Sequence, residues 1–324
     1  MNPRAICNWS FAIGLTASAA FLTISGTESY AQNYPAKPIN VVVTWPAGGG
    51  TDIAARTILK YVEKRLGQRF DVRNIPGGGG AIGYVQGAAQ PKDGYHLTTL
   101  QFDILSVEAQ KLAPVSHRDF DTVAMFADQP VVLAVKGDSP YKSVKDFIEA
   151  SKAKRLRIGG ASIGGVWHQA SHLLEKALGI SYNYVPYDGI TGVLPAILGG
   201  HIDGGVIFLS GTTGSIKSGD LRILAVMSNK RLEAYPSVPT FAELGYPLTY
   251  AGFYGMAAPK GTAAQMVDTL AKAFVEACKD PGYRDEALSR ELNPACLGPQ
   301  EFREMLNSMY PQVESVSTEL LAKK

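Results

Sequence analysis

The chain has 324 residues, of which 46% are hydrophobic and 19% charged, and its net charge is +2. This composition is globular rather than disordered, and the length suffices for two ordinary domains. The near-neutral charge and the lack of a basic run exclude nucleic acid or an anionic membrane as the expected partner.

In chain order, the first segment reads as a secretory signal peptide. One arginine in "MNPRAICNWS" precedes the apolar run "FAIGLTASAAFLTI", and Ser29-Tyr30-Ala31 gives a small-x-small pattern. Cleavage is expected after Ala31, which places the mature protein in the periplasm. The apolar run is too short for a stable span, and no later stretch is long enough. Export leaves Cys278 and Cys296, which can pair in an oxidising compartment. Closing that loop would contribute roughly 3 kcal/mol.

"PINVVVT" reads as a strand and "TDIAARTILKYVEKRLG" as a helix, with Thr51 or Asp52 as N-cap and Gly67 as terminator. "RFDVRN", "GAIGYVQGAAQ" and "HLTTLQ" follow as strand, helix and strand, then "TVAMFA" and "PVVLAVK" as two strands. Ser143 caps the next helix, with Asp146 three residues on. The second series runs "LRIGGA", "GGVWHQASHLLEKALG", "SYNYVPY", "GVLPAILGG", "IDGGVIF" and "LRILAVM". "AGFYGMAAP" is a further strand, and everything from about Thr262 is expected to be helical. Alternating strands and helices predict an α/β fold with mostly parallel sheets flanked by helices. The two series resemble each other loosely, which predicts two lobes with four helix N-termini converging on one cleft.

Glycines between a strand and a helix bring backbone N–H groups close to an anion. "WPAGGGTD" lacks the lysine of a nucleoside-triphosphate loop. "NIPGGGGAIGYV" contains Gly78-x-Gly80-x-x-Gly83, with Asp103 where a ribose-binding acid would stand. Pro76 and extra glycines interrupt that fingerprint, and an exported protein rarely meets NAD, so no cofactor is expected. Gly160-Ala161-Ser162-Ile163-Gly164 matches a nucleophile elbow, which leaves an exported serine hydrolase using Ser162 as the alternative. The later histidines give no convincing acid–histidine order. His168 and His172 share one helix face, but Gln169 replaces the zincin glutamate, so no metal is expected.

The stretches "YPAKPINVVVTWPAGGGTDIAAR", "NIPGGGGAIGYVQGAAQ", "GGASIGGVWHQASHLLEKALGISYNYVPYDGITGVLPAILGGHID" and "LRILAVMSNKRLEAYPSVPTFAELGYP" resemble the tripartite tricarboxylate transporter substrate-binding proteins, the Bug or TctC-like receptors. The resemblance covers nearly the whole mature chain. It implies a two-lobed, type II-like Venus flytrap that binds a small-molecule carboxylate and hands it to a permease of one large and one small subunit. A monomeric receptor is expected, and a sensor that signals to a membrane kinase is a second alternative. Carried onto this sequence, one pincer is Gly49, Thr51 and Asp52, and the other is Gly79, Gly80 and Ala81. Ser162, His168 and Asp188 come from the second lobe. The family usually has phenylalanine where Trp45 stands and a small residue where Trp167 stands. With Phe102 and Phe208 nearby, these tryptophans suggest an aromatic dicarboxylate such as terephthalate; otherwise the ligand is an aliphatic di- or tricarboxylate or an amino acid. The expected lobes are 32–135 plus 254–324, and 136–253, with crossings near Val135 and Phe253.

Overall fold

The computed structural model describes residues 34–322, and the expected signal peptide lies outside them. From Pro35 onward the chain forms one compact unit. No helix among the described residues is long and apolar enough to cross a membrane.

The first part of the chain comprises β1 (Ile39–Val43), α1 (Gly50–Leu66), β2 (Phe70–Asn74), α2 (Ala81–Ala88), β3 (His96–Gln101), α3 (Asp103–Ala109) and β4 (Phe120–Pro130). The middle comprises β5 (Val132–Lys136), α4 (Val144–Ala153), β6 (Arg157–Gly160), α5 (Val166–Leu178), β7 (Asn183–Pro186), α6 (Ile190–Leu198), β8 (Gly204–Ile207), α7 (Thr213–Lys217) and β9 (Leu221–Val226). The chain then runs through β10 (Ala251–Pro259), α8 (Ala264–Cys278), α9 (Pro281–Ser289), β11 (Asn293–Leu297) and α10 (Pro299–Ala322).

Two sheets result, ordered β11-β4-β10-β3-β1-β2 and β7-β6-β8-β5-β9. They are mixed rather than mostly parallel. The strand–turn–helix units give parallel pairs, β1 with β2 and β3, and β6 with β7 and β8. Strands that carry the chain between sheets pair antiparallel, as β10 does with β3 and β4 and β5 does with β8 and β9. The passage from one sheet to the other falls at Val131, not Val135, because Val132 already pairs with Ile207 and Val226. At this point three backbone segments are bonded together. Val131 N–H donates to the Tyr250 carbonyl (3.0 Å), Met227 N–H to Val131 (2.8 Å) and Tyr250 N–H to Met227 (2.9 Å).

Local sequence explains the element ends. Gly67 closes α1 in the left-handed conformation, and Ser143 with Asp146 forms a capping box on α4. Neither Thr51 nor Asp52 is the N-cap of α1: Gly49 holds that position, without a side-chain cap. The C-terminal region is not wholly helical, because β11 pairs with β4. Cys296 on β11 forms a disulfide with Cys278 at the end of α8. The last helix, α10, packs on α3 and β4 and also reaches α5, where Glu319 pairs with His172 and Lys176.

Candidate functional site

Asp52 organises the first glycine turn. Its carboxylate accepts from Gly48 N–H (2.9 Å), Arg56 Nε (2.8 Å) and Asn74 Nδ2 (3.1 Å), and Asn74 also donates to the Trp45 carbonyl. Gly48 needs no Cβ here, because its φ is 75°. The acid therefore holds the loop backbone, which explains why a carboxylate is buried beside the glycine turn. Gly50 is required for a different reason. A Cβ there would lie 2.4 Å from Ser210 Oγ and 2.6 Å from Tyr254 Oη.

Between the sheets lies a cavity of about 40 Å³. Trp45, Phe102, Trp167, Phe208, Phe253 and Tyr254 give it aromatic walls. The Trp167 ring meets Phe208 edge-on at 5.5 Å, and Phe208 meets Tyr254 edge-on at 6.3 Å. Gly189 abuts the Trp45 ring, at a distance where an added Cβ would touch it. Four helices begin at this cavity: α1 with Gly50 and Thr51, α3 with Asp103, α5 with Val166 and Trp167, and α6 with Ile190. First-turn N–H groups lack intrahelical partners and carry partial positive charge. Among the described lining residues the charged ones are Asp103 and Asp188, so helix ends rather than side chains supply the positive field.

Of the residues expected at the site, Trp45, Gly49, Thr51, Phe102, Trp167 and Asp188 line the cavity, as does Phe208. Asp52 stands behind the turn. Gly79, Gly80 and Ala81 belong to a glycine turn whose four residues Gly77 to Gly80 all have positive φ. That turn faces Ser162 instead of the cavity: a Cβ on Gly79 would lie 3.1 Å from Ser162 Oγ. His168 Nδ1 accepts the Gly164 N–H (2.9 Å), and its ring lies 4.2 Å from that of Tyr184. A histidine activating Ser162 would need that nitrogen oriented by an acid. Gln169 is fully buried and joins α5 to the rest of the molecule. Its Nε2 donates to Gly164 O, Ser106 Oγ and Ser317 Oγ, and its Oε1 accepts from Tyr250 Oη (2.7 Å).

Gln101, Ser210, Phe253 and Tyr254 also line the cavity without being expected there, and Asp103 was expected only as a ribose-binding acid. Gln101 ends β3 and Phe102-Asp103 follows it, at the carboxyl end where α/β sheets bind ligands, and that was the available signal. Asp103 is 5% exposed, and burial pushes its carboxyl up to about 7. Three buried polar atoms of lining residues have no hydrogen-bond partner: Trp45 Nε1, Trp167 Nε1 and Gln101 Oε1. Ser210 and Tyr254 are bonded through Gln129 Oε1 (2.9 and 3.3 Å), and Gln129 Nε2 reaches the Glu291 carbonyl. On the far side of Phe102 a larger groove of about 700 Å³ runs past Met227, Tyr250 and Glu291. It is lined by acids and bases together.

Residues 54–316 match the sequence model of the tripartite tricarboxylate transporter family receptor. The chain belongs to this receptor family. Solved structures of similar proteins have the same two-lobed fold. The receptor is 28% identical to the periplasmic binding protein BugD, with a TM-score of 0.83 over 89% of this chain and 98% of that one. It is 25% identical to MatC of Rhodopseudomonas palustris, solved with malate, with a TM-score of 0.80 over 88% and 100%. It is also 25% identical to an R. palustris protein solved with adipate, with a TM-score of 0.84 over 89% and 98%.

Proposed function

We propose that this receptor binds a carboxylate in the cavity between its sheets and delivers it to a permease of one large and one small subunit. The observation that carries the reading is the convergence of four helix N-termini on an aromatic-walled cavity whose charged side chains are both acids. Backbone N–H groups can hold a carboxylate there without a lysine or arginine. The carboxylates bound by two relatives, malate and adipate, agree with this chemistry. On this reading the pincer at Gly49, Gly50 and Thr51 grips the anion, and the second glycine turn, at Gly79, Gly80 and Ala81, braces the Ser162 loop. One lobe holds residues 35–130 with 251–322 and the other 132–249, in the periplasm, with Val131, Met227 and Tyr250 as the hinge.

The aromatic walls favour a ligand with a ring, which can stack between Trp45 and Trp167. A cavity that binds benzene measures about 150 Å³, so a ring enters only when the lobes open. Closing then selects the ligand-bound state through contacts made by both lobes.

A thermal-shift screen against aromatic and aliphatic mono- and dicarboxylates tests the reading. A ligand that binds only the native protein raises the melting midpoint in proportion to the logarithm of its concentration. At least one carboxylate is expected to do so at millimolar concentration. If none shifts the midpoint, the carboxylate reading is wrong.

A further inference from the structure

Asp103 is the first residue of α3 and accepts the Val166 N–H at the start of α5 through Oδ1, at 3.4 Å. The carboxylate of one sheet's helix thus stands at the N-terminus of a helix on the other. A Cβ added to Gly165 would lie 2.7 Å from the same oxygen. Of the four helix ends at the cavity, the one at α5 already holds a carboxyl group of the protein, which is an anion above about pH 7.

The surroundings of Asp103 match this assignment. Gln101 is among the residues that line the same cavity, is only 4% exposed, and its buried Oε1 has no donor. Trp167 lines it as well, is 5% exposed, and its buried Nε1 has no acceptor. Buried polar atoms of this kind are nearly always paired, with protein, water or ligand. A second ligand carboxylate here would meet Asp103 and Gln101 Oε1 as like charge and lone pair. Above about pH 7, where Asp103 is ionised, this corner already carries one buried negative charge, and a second would add to it. An ammonium would satisfy the acceptors and leave the indole N–H unpaired. A hydroxyl does both, because it donates one hydrogen bond and accepts others.

Resting on the carboxylate reading above, we propose that Asp103 sets specificity by serving as the protein's own anion at α5, so that the preferred ligand is a monocarboxylate with a hydroxyl at its other end. The carboxylate goes to the α1 end, and the hydroxyl donates to Asp103 or Gln101 and accepts from Trp167.

Matched pairs that differ in one end group test this by titration calorimetry on the mature receptor at pH 8, where Asp103 is ionised. Suitable pairs are terephthalate with 4-(hydroxymethyl)benzoate, and adipate with 6-hydroxyhexanoate. The hydroxy acid of at least one pair is expected to bind at least tenfold more tightly than its diacid. In Asp103→Asn that preference falls to about threefold or less, since an amide no longer repels the second carboxylate. A diacid that binds wild type as tightly as its hydroxy partner, in every pair that binds, overturns the proposal, and so does an unchanged preference in Asp103→Asn. The wild-type comparison stands even where the variant folds poorly. If no carboxylate of any kind binds, the receptor reading fails first and the specificity proposal falls with it.

Discussion

Asp103 and Asp52 are two acids buried to the same degree, and their neighbours give them opposite roles. Asp52 accepts from Gly48, Arg56 and Asn74, and works as a brace for the glycine turn. Asp103 has one long backbone contact to α5 and four buried tyrosines around it, Tyr84, Tyr184, Tyr250 and Tyr254. Burial raises its pKa to about 7, against about 3.9 in an unfolded chain. The sign follows from linkage. The folded state keeps the proton longer, so this group's contribution to stability is complete below about pH 4 and is lost as pH rises to about 7. The size is on the order of 4 kcal/mol for a three-unit difference. Asp128 and Glu291 are also raised by burial, so the comparison must be made against a variant. Denaturant melts of wild type and Asp103→Asn should give similar stabilities near pH 4, and a variant more stable than wild type at pH 8. Equal pH slopes in the two proteins would refute the assignment. As the last residue of "WPAGGGTD", Asp52 stood out in the sequence, but as a pincer residue rather than as the brace it forms. The role of Asp103 was not, because strand and helix patterns do not say which helix end a residue will face across a cleft.

The helices and strands were largely legible where periodicity ran for several turns or where a run was uniformly apolar. α1, α5, β1 and β10 are such elements. α3 was missed because it spans seven residues and is buried along most of its length, so it shows no amphipathic stripe. β11 was missed because Asn293-Pro294 reads as a turn; its strand form comes from pairing with β4. Strand direction was also hidden, since it depends on where the chain crosses between sheets. Both glycine turns were legible as turns between a strand and a helix, yet only the first opens on the cavity. Gly50 decides how closely that first turn meets the opposite sheet, because Ser210 and Tyr254 are held by Gln129 and cannot step aside freely. Gly50→Ala should keep α1, where alanine is a good helix residue, and lower the affinity for a bound carboxylate at least tenfold. Gly214→Ala is the control, since a Cβ there meets nothing within 4 Å, and it should leave affinity unchanged. Calorimetric titration of both variants checks this. Equal affinities would mean that the α1 turn does not close on the ligand.

At the scale of the whole molecule, the design is two mixed sheets joined at Val131, Met227 and Tyr250, with α10 and Gln169 bonding across the join. Two places among the described residues lie on either side of Phe102 and could take a small solute. One is the small cavity between the sheets, where helix ends supply the positive field. The other is the larger groove behind Phe102, where charges of both signs mix. The proposed carboxylate site is the first. Its most direct test is a crystal structure with a carboxylate that has raised the melting midpoint. The ligand carboxylate is predicted to lie between the sheets, with an oxygen about 3 Å from the N–H of Gly50 or Thr51. Density for the ligand in the groove beside Met227 and Glu291, with the cavity at Trp45 and Trp167 empty, would contradict it.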